Sequence, residues 1–494
     1  MRAATQSVAA ILLVGLAACG ISHRGLSADD PVARYAKNVQ TARKTVERPT
    51  YRWRGLHLDV SRHFFAVSVV ERYIALAAHY KLNIFHWHLT DDQAWRLQIN
   101  RYPLLTSSAA CSKTACEFYT QDDVRRIVRY AAARNVMVVP EIEMPAHMSA
   151  AIRAYPRLGC GRRDVLCARE ATLGFVENVI SEVLTLFPAR FIHAGGDEAP
   201  VAAQRYLLPR VESFLRTRGR RMVVWDDALE SGISPGTVIT AWHGDRRAIA
   251  AIDRGHDVVM VPDGPLYFNA YQGPAAQEPP SAPYTATLEQ VYSYDPTPDH
   301  LNALQRSRIL GVEAAVWTEK IASPQRLFEM VLPRALALGE IAWTSPSHKS
   351  WNRFLARLPA QISWLQRNNY PFRIPLPIIT VSGSRTRFHS IVGNIAGAVA
   401  LTDLSTVTVT IREPVNGAVV RYTLDGALPS VHSPRYVNPL RIRLDQLAER
   451  TLLAAAFAQD GRESEWSEVI IKRVSSAALD REGGSHAWAS VVSP

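Results

Sequence analysis

Two carboxylates stand side by side at Asp197 and Glu198, where FIHAGGDEAP runs from an apolar stub through two glycines. An isolated Asp-Glu pair is ordinarily a solvated loop. Here, however, other apolar runs end in the same kind of residue: HWHLTDD at 86–92, PEIEMPAH at 140–147, Trp225-Asp226-Asp227, Trp242-His243 and Trp317-Thr318-Glu319. Carboxylates, histidines and indoles gathered on one rim suit a carbohydrate pocket, because flat indoles pack on sugar faces while charged groups bond the hydroxyls. Ordinary retaining glycosidases set two carboxyl groups about 5 Å apart across the anomeric carbon. Sequence neighbours cannot easily flank a sugar in that way, but they can serve one side of it if the substrate supplies its own nucleophile. A rival chemistry is a barrel metallohydrolase with His86, His88, Asp91 and Asp92 as ligands; the aromatic neighbours favour the sugar. Asp59, His57 and Arg62 are expected to be structural.

These residues need a scaffold that presents many strand ends together. From Tyr51 onward, short β-rich runs alternate with amphipathic stretches. The runs are GLHLDV at 55, LNIFHWH at 82, VMVVPEIE at 136, RFIHAGGD at 190, MVVWDD at 222, VITAWH at 238, DVVMVP at 257 and ILGVEAAVW at 309. Between them, helical stripes are predicted over 121–134, with Asn135 as the stop, over 172–187 with Thr172 as cap, and after Ser323-Pro324. Eight alternations predict an α/β fold, a (β/α)8 TIM barrel over 51–366, with a doubly wound open sheet as the alternative. After RIPLPIITVSGS the stripes stop. TVTVTIREPVNGAVVRYTLDGALPS alternates apolar and polar residues around Asn416-Gly417 and Asp425-Gly426, predicting a small β-sandwich over 380–475 and a tail over 476–494.

The motifs RGLHLDVSRHF, KLNIFHWHLTDDQAWRLQI, PEIEMPAH, HAGGDE, WDD and AAVWTE, in that order, resemble glycoside hydrolase family 20, the β-N-acetylhexosaminidases. VRYTLDGALPS resembles the β domain that follows the barrel in chitobiase-like enzymes. The resemblance implies an exo-acting, retaining hydrolase that removes terminal β-linked GlcNAc, with GalNAc as a second candidate, from glycans or chitooligosaccharides. The sugar's 2-acetamido oxygen would attack its own anomeric carbon to give an oxazolinium ion. Asp197 would orient the acetamido group, and Glu198 would act as general acid and then base. By the same resemblance Arg54 grips the outer hydroxyls and Glu319 those further round the ring. Trp225, Trp242 and Trp317 form the aromatic walls, and Tyr267 bonds the acetamido carbonyl. His147 and Glu143 support the acid. Asn269 and Glu143 depart from the family pattern, which has aspartates there; Asn269 can donate as well as accept, which bears on recognition of O4. No metal and no cofactor are implied. A non-catalytic glycan-binding lipoprotein is the alternative outside enzymology.

Composition narrows the class further. A hydrophobic share of 47% with 20% charged residues is that of a folded globular chain, which excludes wholesale disorder. The net charge of +11 is spread along the chain rather than gathered in a stripe with aromatics, so no nucleic-acid partner is expected. MRAATQSVAAILLVGLAACG reads as a signal peptide over 1–19, and Leu16 to Cys19 resembles a lipobox; 20–50 reads as a linker. Export to the periplasm or an outer-membrane lipid anchor on Cys19 is expected, with plain secretion as the alternative. With Cys19 acylated, the remaining four cysteines are expected to pair as Cys111–Cys116 and Cys160–Cys167.

Overall fold

The computed structural model describes residues 48–482, apart from 112–115, 274, 276, 277, 298, 299, 392–394, 414, 416, 446 and 447. The signal peptide with Cys19, nearly all of the linker, Asn416 and the tail beyond 482 lie outside the described residues. No described helix is long and apolar enough to cross a membrane.

Ten strands precede the C-terminal region: β1 (Trp53–Asp59), β2 (Ile84–His88), β3 (Met137–Glu141), β4 (Phe191–His193), β5 (Arg221–Trp225), β6 (Val238–Ala241), β7 (Asp257–Met260), β8 (Ala270–Tyr271), β9 (Ala282–Thr285) and β10 (Ile309–Ala314). Eight of them close a barrel in the order β1-β10-β7-β6-β5-β4-β3-β2, with every neighbouring pair parallel. All eight apolar runs of the sequence are barrel strands, and the open-sheet alternative falls. β8 and β9 pair with each other in an insertion between β7 and β10. The closure at β1–β10 depends on Gly311: a Cβ there would lie 1.8 Å from the Trp53 carbonyl oxygen.

Period-two alternation decides which side chains enter the barrel. In β2, Phe85 and Trp87 pack outward, Trp87 against Tyr119 and Phe187, while His86 and His88 turn in toward Glu141 and Glu313. The barrel interior therefore holds buried His57, His86, His88, His193, Glu141 and Glu313 where aliphatic residues usually sit.

The helices follow the predicted stripes with shifted ends. One spans Gln121–Ala132 behind a Thr120 capping box, and Pro324–Val331 is capped by the Ser323 side chain. The helix predicted to start at Thr172 runs from Glu170 to Leu186; Thr172 is not its cap but lies inside it, fully buried, so packing rather than capping uses that residue.

Past the barrel, β11 (Ile378–Val381), β14 (Thr406–Arg412) and β16 (Leu440–Arg443) form one sheet. β12 (Arg385–Ile391), β13 (Ile395–Thr402), β18 (Glu463–Arg473), β17 (Glu449–Phe457) and β15 (Val419–Thr423) form the second. This β domain is tied to the barrel by Arg373, which pairs with Glu465 of β18 and lies 3.3 Å from Glu278 of the insertion. Ser476–Glu482 is helical, so the start of the predicted tail has structure. Both expected disulfides, Cys111–Cys116 and Cys160–Cys167, are formed.

Candidate active site

A pocket of about 380 Å³ opens at the carboxyl ends of the barrel strands, within the size range of ligand sites. Asp197, Glu198, His147, Trp225, Trp242, Trp317, Tyr267, Asn269 and Glu319 all line it.

The loop after β4 sends two adjacent carboxylates in different directions. Gly195, Gly196 and Glu198 all have positive φ, at 59°, 99° and 49°. Gly195 must lack a side chain for a second reason, since a Cβ there would lie 1.6 Å from Glu143 Oε1. That space lets Glu143 sit fully buried against Asp197, with its backbone N–H donating to Thr90 Oγ1 at 2.8 Å. Burial raises the Asp197 pKa to about 6, against the pull of cationic His147. Burial and then the charge of Asp197 push Glu143 well above the usual carboxylate range. Glu143 is therefore the neutral partner of an ionised Asp197 at neutral pH. Glu198 is exposed, with Oε2 3.3 Å from His147 Nε2. The same nitrogen is 3.6 Å from Asp197 Oδ2, and Nδ1 lies 3.3–3.4 Å from Asp91 and Asp92. Burial opposes the charge on His147, but these carboxylates outweigh it and raise its pKa to about 11.

The aromatic walls are anchored at their polar ends. Trp225, almost fully buried, donates its indole N–H to Glu141 Oε1 at 2.7 Å. Trp242 donates to Asp227 Oδ2 at 2.8 Å, and Asp227 Oδ1 accepts the Glu198 backbone N–H at 3.4 Å, so one carboxylate holds both a wall and the turn bearing Glu198. Trp317 lies with its ring 5.8 Å from Trp225 and 6.4 Å from Tyr267. Asn269 is buried against the pocket with its Oδ1 lacking a partner.

Arg54 is a correction. It stands at the amino end of β1, where its guanidinium donates to the Lys81 and Tyr51 carbonyls at 2.7 and 2.9 Å and lies over the Trp343 ring. Alternation turns it away from the barrel interior, and the opposite end of the strand carries the pocket. The arginine that lines the pocket is Arg62, expected above to be structural. It follows the carboxyl end of β1, packs 5.0 Å over the Trp317 ring, and reaches Asp91 at 2.8 Å and Glu319 at 3.6 Å. Arg96 fixes its loop by donating to the Val60 and Ser61 carbonyls at 2.9 and 2.8 Å. The signal that could have found it was its place beyond the strand's carboxyl end, in SRHF. Tyr284, from β9, also lines the pocket and was missed, because nothing in the sequence marks the insertion as a wall.

Among the described residues three clusters have metal-ligand chemistry: Asp91, Asp92 and His147 at the pocket, Asp226, Asp227 and His243 after β5 and β6, and Glu141 with His57 and His88 or with His86 and His193 inside the barrel. Arg62 lies 2.8 Å from Asp91, His243 Nδ1 lies 2.6 Å from Asp226, and Glu141 lies within 3.2 Å of His86, His88 and His193, so a carboxylate in each cluster already has a protein partner.

The chain is similar in sequence and fold to known proteins. Residues 51–204 and 200–346 match the model for the glycosyl hydrolase family 20 catalytic domain, and 402–468 match the chitobiase/beta-hexosaminidase C-terminal domain. A beta-hexosaminidase of Porphyromonas gingivalis is 36% identical over 436 residues, 80% of this chain and 54% of that protein. A beta-N-acetylhexosaminidase of Cellulomonas fimi is 33% identical over 339 residues, 64% of this chain and 68% of that one. The crystal structure of an exo beta-N-acetylglucosaminidase from Vibrio harveyi, in complex with N-acetylglucosamine, matches with a TM-score of 0.63 at 32% identity, covering 66% of this chain and 59% of that one. The chain thus spans about half the length of the Porphyromonas relative. On the barrel match and these identities, the chain belongs to glycosyl hydrolase family 20.

Proposed function

We propose that the chain is an exo-acting β-N-acetylhexosaminidase that removes terminal β-linked GlcNAc, with GalNAc as a second substrate, by substrate-assisted catalysis with retention. The observation that carries this reading is the split between neighbours: Asp197 faces inward against Glu143, while Glu198 stands exposed beside His147. A pair so arranged serves one flank of a bound sugar, and the remaining pocket carboxylate, Glu319, is engaged by Arg62.

In this reading the acetamido carbonyl oxygen forms a bond to the anomeric carbon as the bond to the leaving oxygen breaks. Glu198 gives that oxygen its proton. Asp197, ionised above about pH 6, accepts the acetamido N–H and offsets the positive charge that develops on the oxazolinium ring. Water then attacks the anomeric carbon, returns a proton to Glu198 and reopens the ring. Trp225, Trp242 and Trp317 enclose the sugar and its acetamido group, Tyr267 donates to the amide oxygen, and Arg62 takes the outer-hydroxyl role first given to Arg54. Similarity to hexosaminidases, and to an enzyme whose structure holds N-acetylglucosamine, supports the substrate class. Export, with or without a lipid on Cys19, accords with the two disulfides. Release of a chromogenic aglycone from β-GlcNAc, set against β-GalNAc and β-glucose, tests the proposal. Glu198→Gln should lower turnover by about 10²–10⁴-fold; wild-type rates from that variant would remove Glu198 from the acid role.

A further inference from the structure

Beneath the pocket floor, one fully buried carboxylate collects most of the donors in the barrel interior. Glu141 Oε1 accepts the Trp225 indole N–H at 2.7 Å and lies 2.9 Å from His193 Nδ1. Its Oε2 is 2.5 Å from His88 Nδ1 and 3.2 Å from His86 Nε2. The chain of contacts then climbs toward the pocket. His88 Nε2 is 2.9 Å from Asp91 Oδ2, the atom that also meets Arg62 at 2.8 Å, and Asp91 Oδ1 is 3.4 Å from His147 Nδ1. One residue under the floor therefore touches the floor indole directly. Through one histidine and one aspartate it also reaches both the sugar-facing arginine and the histidine beside Glu198.

The charges of this assembly are balanced. Despite burial, the surrounding carboxylates raise His86 to about 9 and His88 to about 10. The histidines in turn hold Glu141 and Glu313 below the usual carboxylate range, against burial. Burial keeps His57 and His193 low. Glu141 and Glu313 face His86 and His88 in a dry interior, with Asp91 a third carboxylate on His88, so loss of one charge leaves its direct partners without their counter-charge. A supporting shell of this kind fixes the groups above it within the tolerance that chemistry needs.

We infer that Glu141 is a positioning residue for the reaction: it holds Trp225 through the indole hydrogen bond and, through His88 and Asp91, sets Arg62 and His147 in place together. The kinetic part rests on the hexosaminidase reading; the spectroscopic part does not. The test uses ¹⁵N-tryptophan-labelled protein, in which the Trp225 indole resonance is identified by its absence from Trp225→Phe. Glu141→Gln should shift that resonance and lower kcat/KM on a chromogenic β-GlcNAc by about 10²-fold. His88→Gln, which cuts the arm toward Asp91 but keeps the Glu141–Trp225 hydrogen bond, should move the indole resonance less than Glu141→Gln does while raising KM and lowering kcat together. Its effect should also shrink in an Arg62→Ala or a His147→Ala background. A folded Glu141→Gln protein with an unmoved resonance and wild-type kinetics would overturn the inference. If Glu141→Gln does not fold, strict additivity of His88→Gln with both pocket variants overturns it instead. If wild-type protein cleaves no N-acetylhexosaminide, the functional reading fails, and the indole shift alone decides whether Glu141 holds Trp225.

Discussion

Neutralising Asp197 should stabilise the protein while disabling it, and the size of the effect follows from one pKa. Burial raises this carboxyl from its ordinary 3.8 to about 6, and the side chain is only 16% exposed, so solvent screening is modest. The folded state thus prefers the neutral form. The stability that Asp197 contributes is fully present below pH 3.8 and is lost as pH rises through about 6. Above that point the shift corresponds to roughly 3 kcal/mol of strain held by the ionised residue. Asp197→Asn, which keeps the shape but carries no charge, should therefore be more stable than wild type by up to about 3 kcal/mol near pH 7.5, and by only about 0.5 kcal/mol near pH 4. Thermal melts of both proteins across that range read the difference directly, and the gap in melting temperature should widen as pH rises. Activity should move the opposite way: kcat/KM of wild type should fall below about pH 6 as the carboxylate is lost, and Asp197→Asn should show a low kcat throughout. A melting difference independent of pH, or a variant less stable at neutral pH, would refute the claim that Asp197 is held ionised at a cost.

Other perturbations separate the remaining assignments. Arg62→Ala should raise KM by about 10–100-fold, the worth of charge-assisted hydrogen bonds, whereas Arg54→Ala should leave kcat and KM alone and lower only the melting temperature. Steady-state kinetics beside thermal melts distinguish the two. Asn269→Asp should change the ratio of β-GlcNAc to β-GalNAc turnover, measured on paired chromogenic substrates, because it removes the N–H donors that Asn269 can offer O4. Reducing Cys160–Cys167, which closes a loop of sequence separation 7, should cost about 2 kcal/mol, read as a lower melting temperature in the Cys160→Ser/Cys167→Ser protein with little change in kcat.

The scaffold was legible because barrel strands carry their signal locally. Each run is short, β-rich and bounded by a helical stripe, and its chemistry-bearing residues come at its carboxyl end. Asp197, Glu198 and the three indoles were legible for the same reason. Arg54 and Arg62 were not told apart by residue type, since both lie next to β1; only the strand's direction separates the pocket end from the other. The partners of Asp197 were harder still. Sequence adjacency draws attention to Glu198, yet the carboxyl packed against Asp197 is Glu143, brought there from the segment after β3 through the space left at Gly195. The wall from Tyr284 depends on an insertion whose two strands pair only with each other, so no barrel periodicity announces it. Likewise, the pattern of β2 gives the facing of His86 and His88, but that they meet Glu141 and Glu313 depends on β3 and β10.

The measurement that bears most directly on the account is turnover of a series of aryl glycosides of GlcNAc whose N-acetyl group carries zero to three fluorines. If the amide oxygen is the attacking group, each fluorine makes it a weaker nucleophile, and log kcat should fall steeply and linearly across the series. A flat series, with the trifluoroacetyl substrate cleaved as fast as the acetyl one, would mean that the protein supplies its own nucleophile and that the roles given to Asp197 and Glu198 are wrong.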